Sequence, residues 1–495
     1  MSTTTTSLRG SARAEGIGGA IRARPEVWAV VGITVFGAAL RYPTLGLQSF
    51  WADEAVTVGR VLAPSLGTTL SHIPSSEATP PLYYILAWAW TKLFGHSEVG
   101  IRSLSANLGV AVIPVAWWAG RRLVSRAAGI AAAALVAASP AMVWYSQEAR
   151  AYVLLILLSA VALGFFAEAL RRREARMVGW WAVASALAVL THYFAVFTIA
   201  PEAIALVVLL PELRRQVLIG TGGVVAVCAA LVPLAVHQAS KGHDVWISNI
   251  SFGTRLNYLV KQFVFGYHGS SSTVLSIFVL GALAFAAAVA LRVLWRAPDP
   301  RWWLPVVIGV VTMGVPIAAK VFGTDFFFPR NVIAGWVPMA VAAGTAAMLP
   351  RIGWLAVAAL SAAFVTMTIV IDVTPRLQRS DWRDVAKALG PATRPRAVLG
   401  GDTGANPLTY YLPHARKVTR GKVTVGEIDA IGFTGVPPLR GRVVPRGFRF
   451  AGRGSSPGFV YERYVADTPH TLSVGALSHI RLQAAHSPTI LQLTR

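Results

Sequence analysis

The chain has 495 residues, 55% of them hydrophobic and 14% charged, with a mean hydropathy of +0.56 and a formal net charge of +23. Soluble domains are about a quarter charged, so this composition sets a soluble globular chain aside and points to lipid. In a soluble protein such a basic excess would suggest nucleic acid. Here most basic residues before Asp372 sit in short turns between apolar runs, where retention on the inner side of a membrane explains them and no nucleic-acid partner is called for.

Residues 1–25 are polar and carry Arg9, Arg13, Arg22 and Arg24. No small-residue cleavage pattern follows the next apolar run, so the segment reads as a cytoplasmic tail before an uncleaved anchor. Apolar runs near the roughly 20 residues a membrane-crossing helix needs then recur, at about 26–41, 103–120, 127–145, 151–170, 178–191, 193–210, 217–236, 272–294, 303–321, 331–349 and 352–371. Backbone groups in lipid must be satisfied internally, so these eleven are expected as helices. Cys228, the single cysteine, lies in one of them and is expected as packing.

Pro81–Phe94 is too short to place by hydropathy. Charge decides it. If the segment lies in the interface, the turns with Arg121, Arg122 and Arg126, with Arg171–Arg173 and Arg176, with Arg214 and Arg215, with Arg292, Arg296 and Arg301, and with Arg351 all fall inside. If it crosses, all move outside. The segment is therefore expected as a surface helix, with Trp88, Trp90 and Lys92 at headgroup level. The N-terminus then lies on the inner side of the cytoplasmic membrane, and Tyr42–Arg102, His237–Ser271 and everything after Ile371 lie outside. Three regions result: the tail 1–25, a transmembrane domain 26–371, and an extracytoplasmic domain 372–495. The last reads as a small α/β unit, with helix-like DWRDVAKALG, strand-like RAVLG and helix-like NPLTYYL in turn.

Several polar residues could carry chemistry at the outer surface. Asp53 and Glu54 stand in SFWADEA, where Phe50 and Trp51 hold the chain against the interface. Such carboxylates are either simply solvated or placed as a general base for an acceptor hydroxyl. SPAMVWYSQEARAY sets Gln147, Glu148, Arg150 and Tyr152 at a turn between apolar helices. There Arg150 either fixes the turn through an ion pair or holds a phosphate, which a guanidinium fork suits. His192 and Tyr193 form another outer turn, Arg330 ends a third, and Arg102 and Lys320 lie nearby. Glu202 sits within an apolar run, as a functional group or as a protonated packing residue beside Pro201.

SFWADEA, PPLYYILAWAWTKLFG followed by Arg102, GRRLVSR, SPAMVWYSQEARAY, THYF, FPRN and DWRDVAKAL, in this order from Arg41 to about Arg383, resemble the membrane glycosyltransferases that use polyprenyl-phosphate sugars. These are the GT-C superfamily members of the protein O-mannosyltransferase clan and their relatives that modify lipid A with aminoarabinose. The resemblance implies a polytopic α-helical fold of GT-C type with surface helices in the first outer loop. By position it implies Asp53 as the catalytic base and Arg150 and Arg330 as donor-phosphate ligands. From their place at the outer surface, Glu54 is a further catalytic candidate, Arg102 and Lys320 are further phosphate-binding candidates, and Glu148, Tyr152, His192 and Tyr193 are candidate supporting residues. Two positions depart from the pattern. Thr79 stands where relatives commonly have a metal-binding His, leaving His72 or Glu77 as substitutes if a divalent metal is used at all, and Asn331 stands where they have Tyr.

The implied activity is inverting transfer of mannose or another hexose or pentose from a polyprenyl-phosphate donor to an acceptor hydroxyl at the outer face. The acceptor is a cell-envelope glycan, a glycolipid or a protein. The competing expectation is a flippase for a lipid-linked sugar with Glu202 as its intramembrane charge, and a third is a scaffold without activity. No paired, broken half-repeats of the transporter kind stand out, which favours the enzyme.

Overall fold

The computed structural model describes residues 25–61, 63–242, 245–270, 272–400, 404–483 and 489–493, so the expected tail lies outside them apart from Pro25. The bundle opens with α1 (Pro25–Ala39). Three short helices, α2 (Ala52–Val61), α3 (Leu66–Ser76) and α4 (Leu82–Phe94), precede the long α5 (Glu98–Leu123). Gly95, at φ +73°, ends α4, and the Ser97 hydroxyl accepts from the Gly100 N–H to start α5. A left-handed stop followed at once by a capped start turns the chain sharply and keeps α4 separate from α5.

The run expected as one span over 127–145 is instead two helices, α6 (Arg126–Ala138) and α7 (Pro140–Ser146), bent by 61°. Pro140 has no N–H to continue the α6 ladder, while the Ser139 hydroxyl accepts from the Met142 N–H and starts a new helix. There follow α8 (Tyr152–Arg172), α9 (Ala175–Thr191), α10 (Val196–Leu209), α11 (Arg214–Ala239), α12 (Val245–Ser248) and α13 (Phe252–Phe265). The remaining bundle helices are α14 (Thr273–Trp295), α15 (Leu304–Val321), α16 (Trp336–Gly344) and α17 (Ile352–Val373). Among the described residues seven helical segments are long and apolar enough to cross a membrane, or eight with the bent pair; α1, α9 and 193–209 are apolar but shorter.

Small residues let the central helices meet backbone to backbone, the usual device where lipid supplies no hydrophobic drive between helices. A Cβ on Gly129 would stand 2.6 Å from the Trp117 carbonyl oxygen, and one on Gly344 2.6 Å from that of Ala128. Outer helices do the reverse. Val274, Ile277, Val321 and Phe322 are exposed apolar side chains, as a lipid-facing surface requires.

The charged turns gather at one end of the bundle, where Glu26 pairs with Arg121 and Arg126, and Glu168 with Arg122, Arg171 and Arg172. The small C-terminal domain caps the other end. It contains α18 (Trp382–Leu389), α19 (Ala405–Tyr411), α20 (Val474–Ser478) and strands β1 (Arg396–Leu399), β2 (Ala415–Val418), β3 (Lys422–Phe433), β4 (Phe448–Ser456), β5 (Phe459–Ser473) and β6 (Thr489–Gln492). The strands form one mixed sheet in the order β2-β6-β1-β3-β5-β4, with β1 parallel to β3. Successive side chains on β1 serve opposite faces: Ala397 and Leu399 join Val425 and Ile428, while Val398 joins Trp382, Leu408 and Ile431.

Candidate active site

Asp53 and Glu54 both lie in the first turn of α2. Neighbours on a helix point about 100° apart, so the pair cannot serve one partner. The Glu54 carboxylate turns inward and takes both arms of Arg102, Nε at 2.8 Å and NH2 at 2.6 Å, together with the Ala149 N–H at 2.9 Å. Arg102 spends its other protons on the carbonyls of Leu45, Gln48 and Ser49, and both side chains are wholly buried. Burial alone would raise the Glu54 carboxyl, but the Arg102 charge and hydrogen bonds outweigh it and hold it below the usual range.

Asp53 faces the other way. Its Oδ2 accepts from Arg330 NH1 at 2.6 Å, and its side chain keeps 30% of its exposure. Arg330 is wedged among the rings of Tyr152, Trp246 and Phe328, 5.0–5.7 Å from their centres. Arg150 NH1 donates to Glu77 Oε2 at 2.8 Å, to Thr57 Oγ1 at 3.0 Å and to the Asp53 carbonyl at 3.4 Å, while its Nε is buried without a partner. Burial raises the Asp53 carboxyl, yet Arg330 and Arg150 outweigh it and lower its pKa.

Beside these residues lies a cavity of about 200 Å³, lined by Arg150, Tyr152, His192, Tyr193, Arg330 and Asn331 with the aromatic rings of Phe194, Trp246 and Phe326. Aromatic walls with two guanidiniums suit a ligand that is part apolar, part anionic. Nδ1 of His192 accepts from the Phe194 N–H at 3.3 Å, so in the neutral ring Nε2 carries the proton. Burial, then Arg150 and Arg330, push that imidazole down to about 3, and it stays neutral at ordinary pH. The Tyr193 hydroxyl donates to Gln238, whose amide holds the Thr79 carbonyl at 3.1 Å.

Other expected residues lie elsewhere. Arg102 and Glu54 face each other and not the cavity, and Lys320 pairs at 2.9 Å with Asp325, which Arg255 also holds. Glu148 is buried outside the cavity lining, 3.4 Å from Arg379 with Oε1 unpartnered, and burial pushes its carboxyl up to about 7. Glu202 is buried away from the cavity lining and accepts from Trp181 Nε1 at 2.8 Å. Thr57, Tyr84, Gln238 and Trp246 were not singled out from sequence. Only Thr57 had a signal there, its i+4 spacing from Asp53.

His72 is exposed on α3, whereas Glu77 is buried and bound to Arg150 and the Tyr84 hydroxyl. Among the described residues no three His, Cys, Asp or Glu side chains converge as a metal site. Asp53, Glu54, Glu77 and Glu148 each face a guanidinium.

Residues 78–238 match the family model for dolichyl-phosphate-mannose-protein mannosyltransferases. No curated protein matches the chain in sequence. In structure it is similar to apo ArnT from Cupriavidus metallidurans, at 12% identity and a TM-score of 0.54 over 77% of this chain and 84% of that one. The same protein bound to undecaprenyl phosphate aligns at 14% identity and 0.49, over 78% and 85%. The apo oligosaccharyltransferase of Archaeoglobus fulgidus aligns at 16% and 0.45, over 74% and 58%. At such identities the likeness to ArnT is one of fold.

Proposed function

We propose that this protein transfers a sugar, mannose or another hexose or pentose, from a polyprenyl-phosphate donor to an acceptor hydroxyl at the outer face of the cytoplasmic membrane. The observation that carries the reading is the Asp53 carboxylate held by Arg330, a residue that lines the aromatic cavity together with Arg150, whose guanidinium reaches the Asp53 backbone carbonyl. The family model that matches residues 78–238 is named for a lipid-phosphate mannose donor, which supports the donor class.

In this reading the acceptor O–H gives its proton to Asp53 as its oxygen bonds to the anomeric carbon. The bond from that carbon to the phosphate oxygen breaks, its electron pair leaves with the lipid phosphate, and the configuration inverts. Arg150 and Arg330 stabilise the charge on the departing phosphate, and the neutral His192 Nε2–H is a further donor into the cavity. Arg330 also donates to Asp53, so the same guanidinium links the phosphate subsite to the proposed base. No step needs a metal. The flippase reading relied on Glu202, which is tied to Trp181 outside the cavity lining.

The test is transfer by purified protein in lipid nanodiscs, with polyprenyl-phosphate mannose or arabinose as donor and a cell-envelope fraction as acceptor. Transfer that disappears in Asp53→Asn is expected. Wild-type turnover in that variant overturns the role of Asp53. Flux of labelled lipid across liposomes with no sugar transferred overturns the enzyme reading.

A further inference from the structure

Residues 46–52, which lead into α2 and Asp53, are gripped from two sides. From α5, Arg102 donates to the carbonyls of Leu45, Gln48 and Ser49. The second grip comes from the C-terminal domain. The Phe50 N–H donates to the Tyr411 hydroxyl at 2.7 Å, and that hydroxyl donates to Glu98. The other Glu98 oxygen accepts from Arg383 NH1 at 2.5 Å, and Arg383 also donates to the carbonyls of Gly46 and Leu47. Ser49 Oγ accepts from the Trp382 N–H and donates to the Ser380 carbonyl, and Gln48 Oε1 accepts from the Arg379 N–H. The Phe50 ring meets Tyr410 edge-on at 5.2 Å.

Glu98 and Arg102 are four residues apart on α5, so both grips are anchored on one helical face. Tyr411 uses its hydroxyl as donor and acceptor at once, and burial together with the Glu98 bond pushes its phenol well above its ordinary range, so the proton stays in place. This junction is more than a domain contact. It fixes backbone three residues from Asp53, and an error of about 1 Å in a reacting group costs on the order of a hundredfold in rate.

We infer that the C-terminal domain is a positioning element for the catalytic carboxylate: Tyr411 and Arg383, acting through Glu98, set the backbone at 46–52 so that Asp53 meets the acceptor hydroxyl. The inference rests on the reading of Asp53 as the base. It gives the domain a part in the chemical step beyond any part in choosing the acceptor.

The test compares wild type with Tyr411→Phe and Glu98→Gln, full length in nanodiscs, with polyprenyl-phosphate mannose and the envelope fraction. Tyr411→Phe keeps the ring and removes one hydroxyl. Turnover is expected to fall by about tenfold or more with donor KM within about twofold, because neither Arg150 nor the cavity touches the junction. Arg449→Ala, on the exposed edge strand β4 of the same domain, is the control at wild-type turnover. Amide exchange over 48–53 should quicken in Tyr411→Phe while β3–β5 exchange is unchanged. Wild-type turnover in Tyr411→Phe overturns the inference, as does a fall in turnover accompanied by equal losses of donor affinity and melting temperature. Should the wild type transfer no sugar, the proposed function falls by itself. The positioning claim is then judged by exchange, and unchanged exchange over 48–53 overturns it.

Discussion

Asp53 and Glu54 are adjacent in the chain yet belong to different parts of the protein: Glu54 is bound twice by the buried Arg102, while Asp53 meets Arg330 at the edge of the cavity. Glu54 is consumed in holding the fold, and the proposed function assigns the chemistry to Asp53. Glu54→Gln removes charge from a buried pair and should cost about 3–5 kcal/mol, seen as a lower melting temperature and poor recovery from membranes. Asp53→Asn should melt near wild type and lose about 10²–10⁴ in turnover. Equal melting temperatures for the two variants would contradict this division.

Arg330 is expected to control both donor binding and the acid limb of the rate profile. Arg330→Ala should lower kcat/KM for the donor by about 10²–10³. The Asp53 carboxyl is held down mainly by Arg330 and Arg150 against its burial. With Arg330 gone its pKa rises, so free-enzyme activity should fail at a higher pH than in wild type. A limb that stays put or moves to lower pH would show that another group governs it.

The Glu148 carboxyl, pushed by burial up to about 7, gives stability the opposite pH dependence. Between its unfolded value and about 7 the folded state holds a proton that the unfolded state has lost. Its contribution is therefore complete in acid and disappears as pH rises through about 7. Melting temperature should decline from pH 5 to pH 8 in wild type and decline less in Glu148→Gln, measured in the same detergent. Parallel slopes would remove Glu148 as the cause.

Chelation is a direct check on the donor set. Treatment with EDTA should leave turnover unchanged, because Asp53 and Glu77 are already neutralised by Arg330 and Arg150. Activity lost to EDTA and restored by a divalent cation would mean that one of these guanidiniums moves aside for the metal.

What could be seen in the sequence follows from the range of the interactions. Apolar runs and turn charges are local, and the expected runs are helical among the described residues, although only seven segments, or eight with the bent pair at 126–146, are long and apolar enough to cross a membrane where eleven spans were expected. The three elements expected after Asp372 recur as α18, β1 and α19. The ion partners around the site are not local. Glu54 finds Arg102 across 48 residues and Arg150 finds Glu77 across 73, and no periodicity encodes either choice. The buried arginine at 102 was thus expected at a phosphate when it is held by backbone carbonyls. The bend at Ser139–Pro140 was written locally, in a capping Ser before a Pro, but the apolar composition on both sides hid it.

The sheet order carries a consequence for biosynthesis. Strand β6, Thr489–Gln492, lies between β1 and β2, which precede it by many residues. Until Gln492 has left the ribosome, β1 and β2 lack a common neighbour and the domain that grips Phe50 is incomplete. The helix bearing Asp53 is made before any of these strands, yet its lead-in at 46–52 is held by a domain that β6, the last of them, completes.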